Sequence, residues 1–170
     1  NLINSLYEEG IEIAVRCNKP QDWTRYVSDK ELKILQQSEE NSDYIMCVML
    51  PSISKQFYCE GKPIIQWVVW EGDRIPKSWI ELLSDDRIKY IFVPSNHTKQ
   101  AIINTCVIGL DENIIEKIHI IPHGVNSNIF YPKPELKSND YFNFIADKGW
   151  PQGSKDRGGL SYLVKAFCEE

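Results

Sequence analysis

The sequence lacks the patterns that assign many chains to a class at once. No apolar run approaches the ~20 residues of a membrane-spanning helix. No G-x-G-x-x-G follows a predicted strand, which disfavours a nicotinamide-dependent oxidoreductase. The 3 histidines have no cysteine or carboxylate at ligand spacing, so the sequence predicts no metal site.

A basic excess is missing as well. The formal net charge is −5, which argues against a general nucleic-acid binder, because the affinity of such proteins rests on a basic surface. This charge still leaves room for a local basic pocket. With 42% hydrophobic and 25% charged residues, the composition is that of an ordinary globular protein and excludes general disorder.

The 5 cysteines show no C-x-x-C spacing, and their odd number leaves at least one of them outside any disulfide within the chain. They are Cys17, Cys47, Cys59, Cys106 and Cys168. Scattered thiols fit a reducing compartment best, so we expect a cytoplasmic protein.

What the sequence does contain is a regular alternation of predicted strands and helices. The predicted strands are residues 11–17, 44–50, 64–70, 89–93, 117–121 and 141–146. Predicted helices lie at 1–9, 29–38 after an N-cap at Ser28, around 79–83, from Ser95 to about 105, at 111–116 and around 160–167. This order predicts an α/β fold with a Rossmann-like, doubly wound parallel sheet. The opening order of helix, Gly10 and strand also implies a strand before residue 1.

Ligands of open α/β sheets bind beyond the carboxyl ends of the strands, so the residues that follow each predicted strand are the candidate site. After residues 64–70 come Glu71 and Asp73, and after 89–93 comes Ser95. The strand at 117–121 is followed by His123 and Gly124, where we expect glycine to permit a turn that other residues resist. An alternative for Asp73 is a helix N-cap beside an exposed Glu71. His97 and His123 are expected to be structural.

The loop at 147–159 is basic and rich in glycine, and it directly precedes a predicted helix. Free N–H groups at a helix start, glycines that let the backbone approach and nearby cations together suit a diphosphate. The candidates are Lys148, Lys155, Arg157, Gly158 and Gly159. The alternative is an ordinary solvated surface loop.

Four motifs resemble, in their order along the chain, those of family 4 retaining glycosyltransferases of the GT-B architecture. I-x-I-I-P-H-G-V-N-x-x-x-F-x-P at 118–132 resembles the end of that family's first domain. W-E-x-D-x-I-P-x-x-W at 70–79 and V-P-S at 93–95 are similar to motifs of one branch. R-G-G-L-S-Y-L-V-K-A-F at 157–167 is similar to the basic residue and helix that begin the second domain.

The resemblance implies a fragment in three parts. Residues 1–124 would be the N-terminal acceptor domain without its first strand, 125–140 the interdomain linker, and 141–170 the start of the C-terminal nucleotide-sugar domain. Arg157 takes the place of the family's phosphate-binding lysine and Lys148 that of the preceding arginine. The longer loop of this chain lets Lys155 serve instead of Lys148.

The implied reaction moves a sugar from a nucleoside diphosphate sugar to the hydroxyl of a carbohydrate or other acceptor, with retention of configuration. Glu71 and Asp73 would face the acceptor, and no cofactor or metal is needed, because cationic side chains neutralise the diphosphate. The family's pair of glutamates would lie beyond residue 170. No nucleic-acid partner is expected, and peripheral membrane association of the full-length protein stays open. The main alternative is a non-catalytic Rossmann-like module that binds a nucleotide or a partner chain.

Overall fold

Four parallel strands, arranged in the order in which they occur along the chain, form one sheet. The computed structural model describes residues 2–16, 28–35, 37–38, 40–58, 61–107, 111–133 and 159–168. The strands are β1 (Ile45–Val48), β2 (Ile64–Trp67), β3 (Ile88–Val93) and β4 (Ile118–Ile120). Each pairs with the next in parallel, which confirms the predicted parallel α/β arrangement with flanking helices.

Seven helices accompany the sheet within the described ranges. They are α1 (Leu2–Glu8), α2 (Asp29–Leu35), α3 (Pro51–Ser54), α4 (Lys77–Leu83), α5 (Asn96–Ile103), α6 (Glu112–Glu116) and α7 (Leu160–Cys168). A 3-10 turn at Lys55–Phe57 extends α3. Among these described elements no helix is long and apolar enough to cross a membrane.

Local sequence explains several helix boundaries. The Ser28 hydroxyl accepts from the N–H of Glu31, and the Glu31 carboxylate accepts from the N–H of Ser28, so α2 begins in a reciprocal capping box. Gly10 ends α1 with a φ of 80°, while the N–H groups of Gly10 and Ile11 donate to the carbonyls of Tyr7 and Leu6. This is the hydrogen-bond pattern of a glycine C-cap, as the sequence predicts.

The core lies on one face of the sheet, where helices α4, α5 and α6 cover it. Ile91 and Val93 of β3 are buried against Leu83, Ile102 and other apolar side chains of these helices. Leu83 is fully buried, and the loss of such a side chain typically costs about 2–5 kcal/mol. The opposite face carries an aromatic row, in which the Phe92 ring lies 6.0 Å from that of Trp67 and 6.2 Å from that of His119.

One predicted strand does not form. Residues 11–16, which alternate as a strand in sequence, have no strand structure, and residue 17 lies outside the described part of the chain. Alternation satisfies only the side chains, whereas a strand also needs a neighbour for its backbone groups. The described residues place no strand beside this segment.

The chain divides into two compact units, Asn1–Val125 and Asn126–Glu170. The first contains the sheet and α1 to α6. The second contains α7, on which Val164 and Phe167 are 53% and 60% exposed. The predicted strand at 141–146 lies outside the described residues. The predicted limits of domain, linker and second domain stay predictions.

Candidate functional site

Because all four strands are parallel, the segments that follow them lie at one edge of the sheet. The turn after β2 contains Glu71 and Asp73, the turn after β3 contains Ser95, and the segment after β4 contains His123. The carboxylate-bearing residues and His123 are exposed, while Ser95 is half-buried.

The turn after β2 closes around the indole of Trp70. The indole N–H of Trp70 donates to the backbone carbonyl of Arg74 at 2.6 Å, and this hydrogen bond bridges the residues between them. A Cβ on Gly72 would lie 2.9 Å from the indole nitrogen, so only glycine fits here without a shift of the ring. The Trp70 ring packs edge-on against Trp79, with the ring centroids 5.0 Å apart. Glu71 and Asp73 are therefore carried by a loop with little freedom.

Helix α5 holds the same loop from the other side. Thr98 Oγ1 donates to the Trp70 carbonyl at 3.2 Å, and Nε2 of His97 lies 3.1 Å from the Glu71 carbonyl. At the far end of α5, Asn104 Nδ2 donates to the Asp73 carbonyl at 3.0 Å, and Arg74 donates to the Asn104 carbonyl at 2.7 Å. Three of these bonds end on backbone carbonyls of the loop and the fourth is donated by the Arg74 side chain, and both carboxylates are exposed.

The N-cap alternative for Asp73 is wrong. Helix α4 begins at Lys77 with Pro76 as its N-cap, and no side chain caps it. Between the turn and the helix, the N–H of buried Ile75 donates to Thr105 Oγ1 at 3.0 Å. This bond fixes Ile75 in the core and separates Asp73 from the first turn of α4. The other part of that alternative is confirmed, because Glu71 is exposed.

Ser95 is the N-cap of α5, as its sequence position predicts. Its hydroxyl accepts from the N–H of Thr98 at 3.3 Å and lies 3.4 Å from the Thr98 hydroxyl. Thr98 in turn is 2% exposed and bonds to the turn after β2. Ser95 thus stabilises the start of α5, the helix whose Thr98 bonds to the turn after β2.

His123 stacks on Trp67, with centroids 6.0 Å apart and an angle of 11° between the planes. The contact places His123 beside the end of β2 and supports a structural role for its ring. The expected turn at Gly124 is wrong, because its φ lies outside the left-handed region and a Cβ there would meet nothing within 4 Å. Residue types other than glycine would therefore fit at position 124 without strain.

A cavity of about 350 Å³ opens at the carboxyl ends of β1 and β2. Residues 48–51, Ile53 and residues 67–69 line it, and we name it the β1–β2 cavity. Trp67 supplies its only polar side-chain group, since the other lining side chains are apolar. The Trp67 indole nitrogen is buried and has no hydrogen-bond partner within the described part of the chain.

Gln66, next to Trp67, is fully buried and points to the opposite face of the sheet. Its amide donates to the carbonyls of Cys47, Met49 and Trp67 at 2.8–3.2 Å, so it fixes the end of β1 to β2. Sequence reasoning missed Gln66 and Trp67. The signal that could have identified this region was a lone amide side chain inside an otherwise apolar strand.

The predicted diphosphate loop is described only at its end. Gly159 has a φ of 71°, and its carbonyl accepts from the N–H of Leu163 in the first turn of α7. Lys148, Lys155, Arg157 and Gly158 lie outside the described residues, so their role stays a prediction.

Two residues that contact Arg87, near the amino end of β3, have perturbed pKa values, and both shifts have a structural explanation. The Arg87 guanidinium donates to both oxygens of Asp85 at 2.9 and 2.6 Å. These hydrogen bonds hold the pKa of Asp85 near 2, below its usual value. Burial raises the pKa of Tyr58, over whose ring Arg87 lies, to about 12. Within the described ranges, no group of three or more metal-ligating side chains converges.

The chain has no significant match among protein-family models, curated proteins or solved structures.

Proposed function

We propose that the chain forms part of a retaining glycosyltransferase of the GT-B type. It takes a sugar from a nucleoside diphosphate sugar and transfers it to an acceptor hydroxyl. In this proposal residues 1–124 belong to the Rossmann-like acceptor domain, 125–140 to the linker and 141–170 to the donor domain, in a cytoplasmic protein.

The observation that carries the proposal is the loop from Trp70 to Arg74. Two exposed carboxylates, Glu71 and Asp73, lie at the ligand-binding edge of a parallel sheet, on a turn fixed by Trp70 and by α5. The spacing W-E-x-D-x-I-P-x-x-W has a physical basis in this loop, because the first tryptophan closes it and the last one supports the first. Fixed groups at such an edge suit chemistry, which needs reacting atoms held in place.

Glu71 and Asp73 then act on the acceptor, by holding one hydroxyl or by accepting its proton as the new bond forms. Lys148, Lys155 and Arg157 bind the diphosphate, with Gly158 and Gly159 letting the backbone approach. Their positive charge stabilises the leaving diphosphate, so the proposed reaction needs no metal ion.

The test is a pair of variants, Glu71→Gln and Asp73→Asn, in a protein that contains both domains. We expect sugar transfer to fall at least about tenfold, while nucleoside diphosphate binding stays within about twofold of wild type, because only the acceptor side is changed. Glu81→Gln, an exposed carboxylate on α4, is the matched control and should leave both unchanged.

Turnover that is unaffected in both variants would contradict the acceptor-side role. Nucleotide binding without transfer from any nucleoside diphosphate sugar would instead support a non-catalytic binding module.

A further inference from the structure

The β1–β2 cavity lies beside the proposed acceptor-binding turn and is almost wholly apolar. Val48, Leu50 and Val69 at its mouth are 46–58% exposed, which leaves apolar surface facing solvent at the ligand-binding edge. Small-molecule sites typically have volumes of about 300–1,000 Å³ and combine an apolar lining with a few polar groups. At about 350 Å³ this cavity fits one apolar group of a ligand.

The lining of the cavity offers no hydrogen-bonding side-chain atom to a ligand. Trp67 is 7% exposed and its indole nitrogen has less than 1 Å² of accessible surface, so a ligand in the cavity meets only the carbon atoms of that ring. The group that fits this cavity is therefore an alkyl or aryl group, and the polar part of the ligand lies outside it.

The cavity is close to the carboxylates along the chain. Val69 in its wall is two residues from Glu71, so their Cα atoms are at most about 7 Å apart. A hydroxyl attached near an apolar group in the cavity is thus within reach of the Glu71 turn. The stacking of His123 on Trp67 joins the same region to the segment after β4.

We propose that the β1–β2 cavity binds the apolar group of an amphiphilic acceptor, an alkyl or aryl compound with a hydroxyl at its polar end. The claim that the ligand is an acceptor rests on the proposed transferase function, whereas binding of the ligand to the cavity can be measured without any transfer. It makes the acceptor an alcohol or glycoside with an apolar tail.

The probes are hexyl glucoside and methyl glucoside, which share one sugar and differ only in chain length. Each buried methylene strengthens binding by up to about fourfold, so we expect hexyl glucoside to bind at least about tenfold more tightly than methyl glucoside. Titration calorimetry on the 170-residue chain measures both affinities. Equal affinities would overturn the proposal.

A matched pair of variants locates the binding. Val69→Asp places a charge at the cavity mouth and should remove the preference for the longer chain. Val107→Asp, at a valine of similar exposure that does not line the cavity, should keep it.

The outcomes separate this inference from the proposed function. Selective hexyl glucoside binding that Val69→Asp abolishes, together with no transfer from any nucleotide sugar by a protein that contains both domains, would support the cavity and contradict the transferase. Transfer that proceeds equally well to both glucosides would support the transferase and overturn the cavity proposal. A preference for hexyl glucoside that survives Val69→Asp places the ligand elsewhere and also overturns the cavity proposal.

Discussion

The indole N–H of Trp70 donates to the backbone carbonyl of Arg74 at 2.6 Å, and Gly72 lies against the same ring. This contact closes the turn that carries Glu71 and Asp73. The proposed acceptor site consequently depends on a residue that has no side chain, and the first prediction concerns that residue.

Gly72→Ala should displace the Trp70 ring, because the new Cβ would lie 2.9 Å from its nitrogen. We expect the free energy of unfolding to fall by about 1–3 kcal/mol, as for other overpacked positions. Urea denaturation measures the change. Gly124→Ala is the control and should stay within about 0.5 kcal/mol, since a Cβ there meets nothing within 4 Å. Equal stability of the two variants would show that the approach to Trp70 is not tight.

Ser95→Ala should lower the free energy of unfolding by about 1 kcal/mol through the loss of the N-cap of α5. Ser95→Asp keeps a capping oxygen and places a negative charge at the helix start, so it should retain most of the stability. Thermal unfolding of the three proteins compares them. A stable alanine variant would contradict the capping role.

Asp85→Asn should destabilise the protein at neutral pH by about 1 kcal/mol or less, because the ion pair with Arg87 is partly exposed. The pKa of Asp85 is lowered in the folded state from 3.8 to about 2, so its contribution is present above pH 3.8 and is lost as the pH falls toward 2. Unfolding measured from pH 7 down to pH 2 should therefore show the wild-type and variant curves converging. Asp86→Asn, at the exposed neighbour, is the control. A difference as large at pH 2 as at pH 7 would exclude the charge as its cause.

Arg157→Ala should weaken nucleoside diphosphate binding by about ten- to a hundredfold in a protein that contains both domains, because a charge-assisted contact is lost. Arg157→Lys should restore only part of the affinity, since a point charge does not reproduce the planar fork of arginine. Titration calorimetry measures each variant.

Lys148→Ala and Lys155→Ala identify the second cation by the larger loss of affinity. If all three alanine variants bind the nucleotide like wild type, the loop at 147–159 is solvated surface and the donor-site assignment fails.

Much of the first unit could be predicted because its signals are local. Proline after β1 and β3, the capping serines 28 and 95 and the C-cap glycine at 10 act within one turn of their own position. The residues that follow a parallel strand could likewise be placed at the ligand-binding edge from order alone. The positions of Glu71, Asp73 and Ser95 at that edge could therefore be predicted from the sequence, while their role stays a prediction.

The remaining features depend on which strands become neighbours. Residues 11–16 have the alternation of a strand and form none, because the backbone of a strand needs a partner that alternation does not provide. The stacking of His123 on Trp67 and the β1–β2 cavity require β1, β2 and β4 to lie in one sheet in a particular register. Register is a property of pairs of distant segments, so only the tertiary structure decided it.

The sequence by itself thus determined the alternating elements, their caps and the polar residues after each strand, since short-range sterics and hydrogen bonds act between near neighbours. Tertiary structure decided how Gly72 meets Trp70, why Pro76 rather than Asp73 begins α4, and which apolar side chains enclose a cavity. The loop around Trp70 is held by bonds from Thr98 and Asn104, which lie far along the chain, and the cavity is enclosed by residues that follow two different strands. No local pattern encodes the close approach of such distant segments.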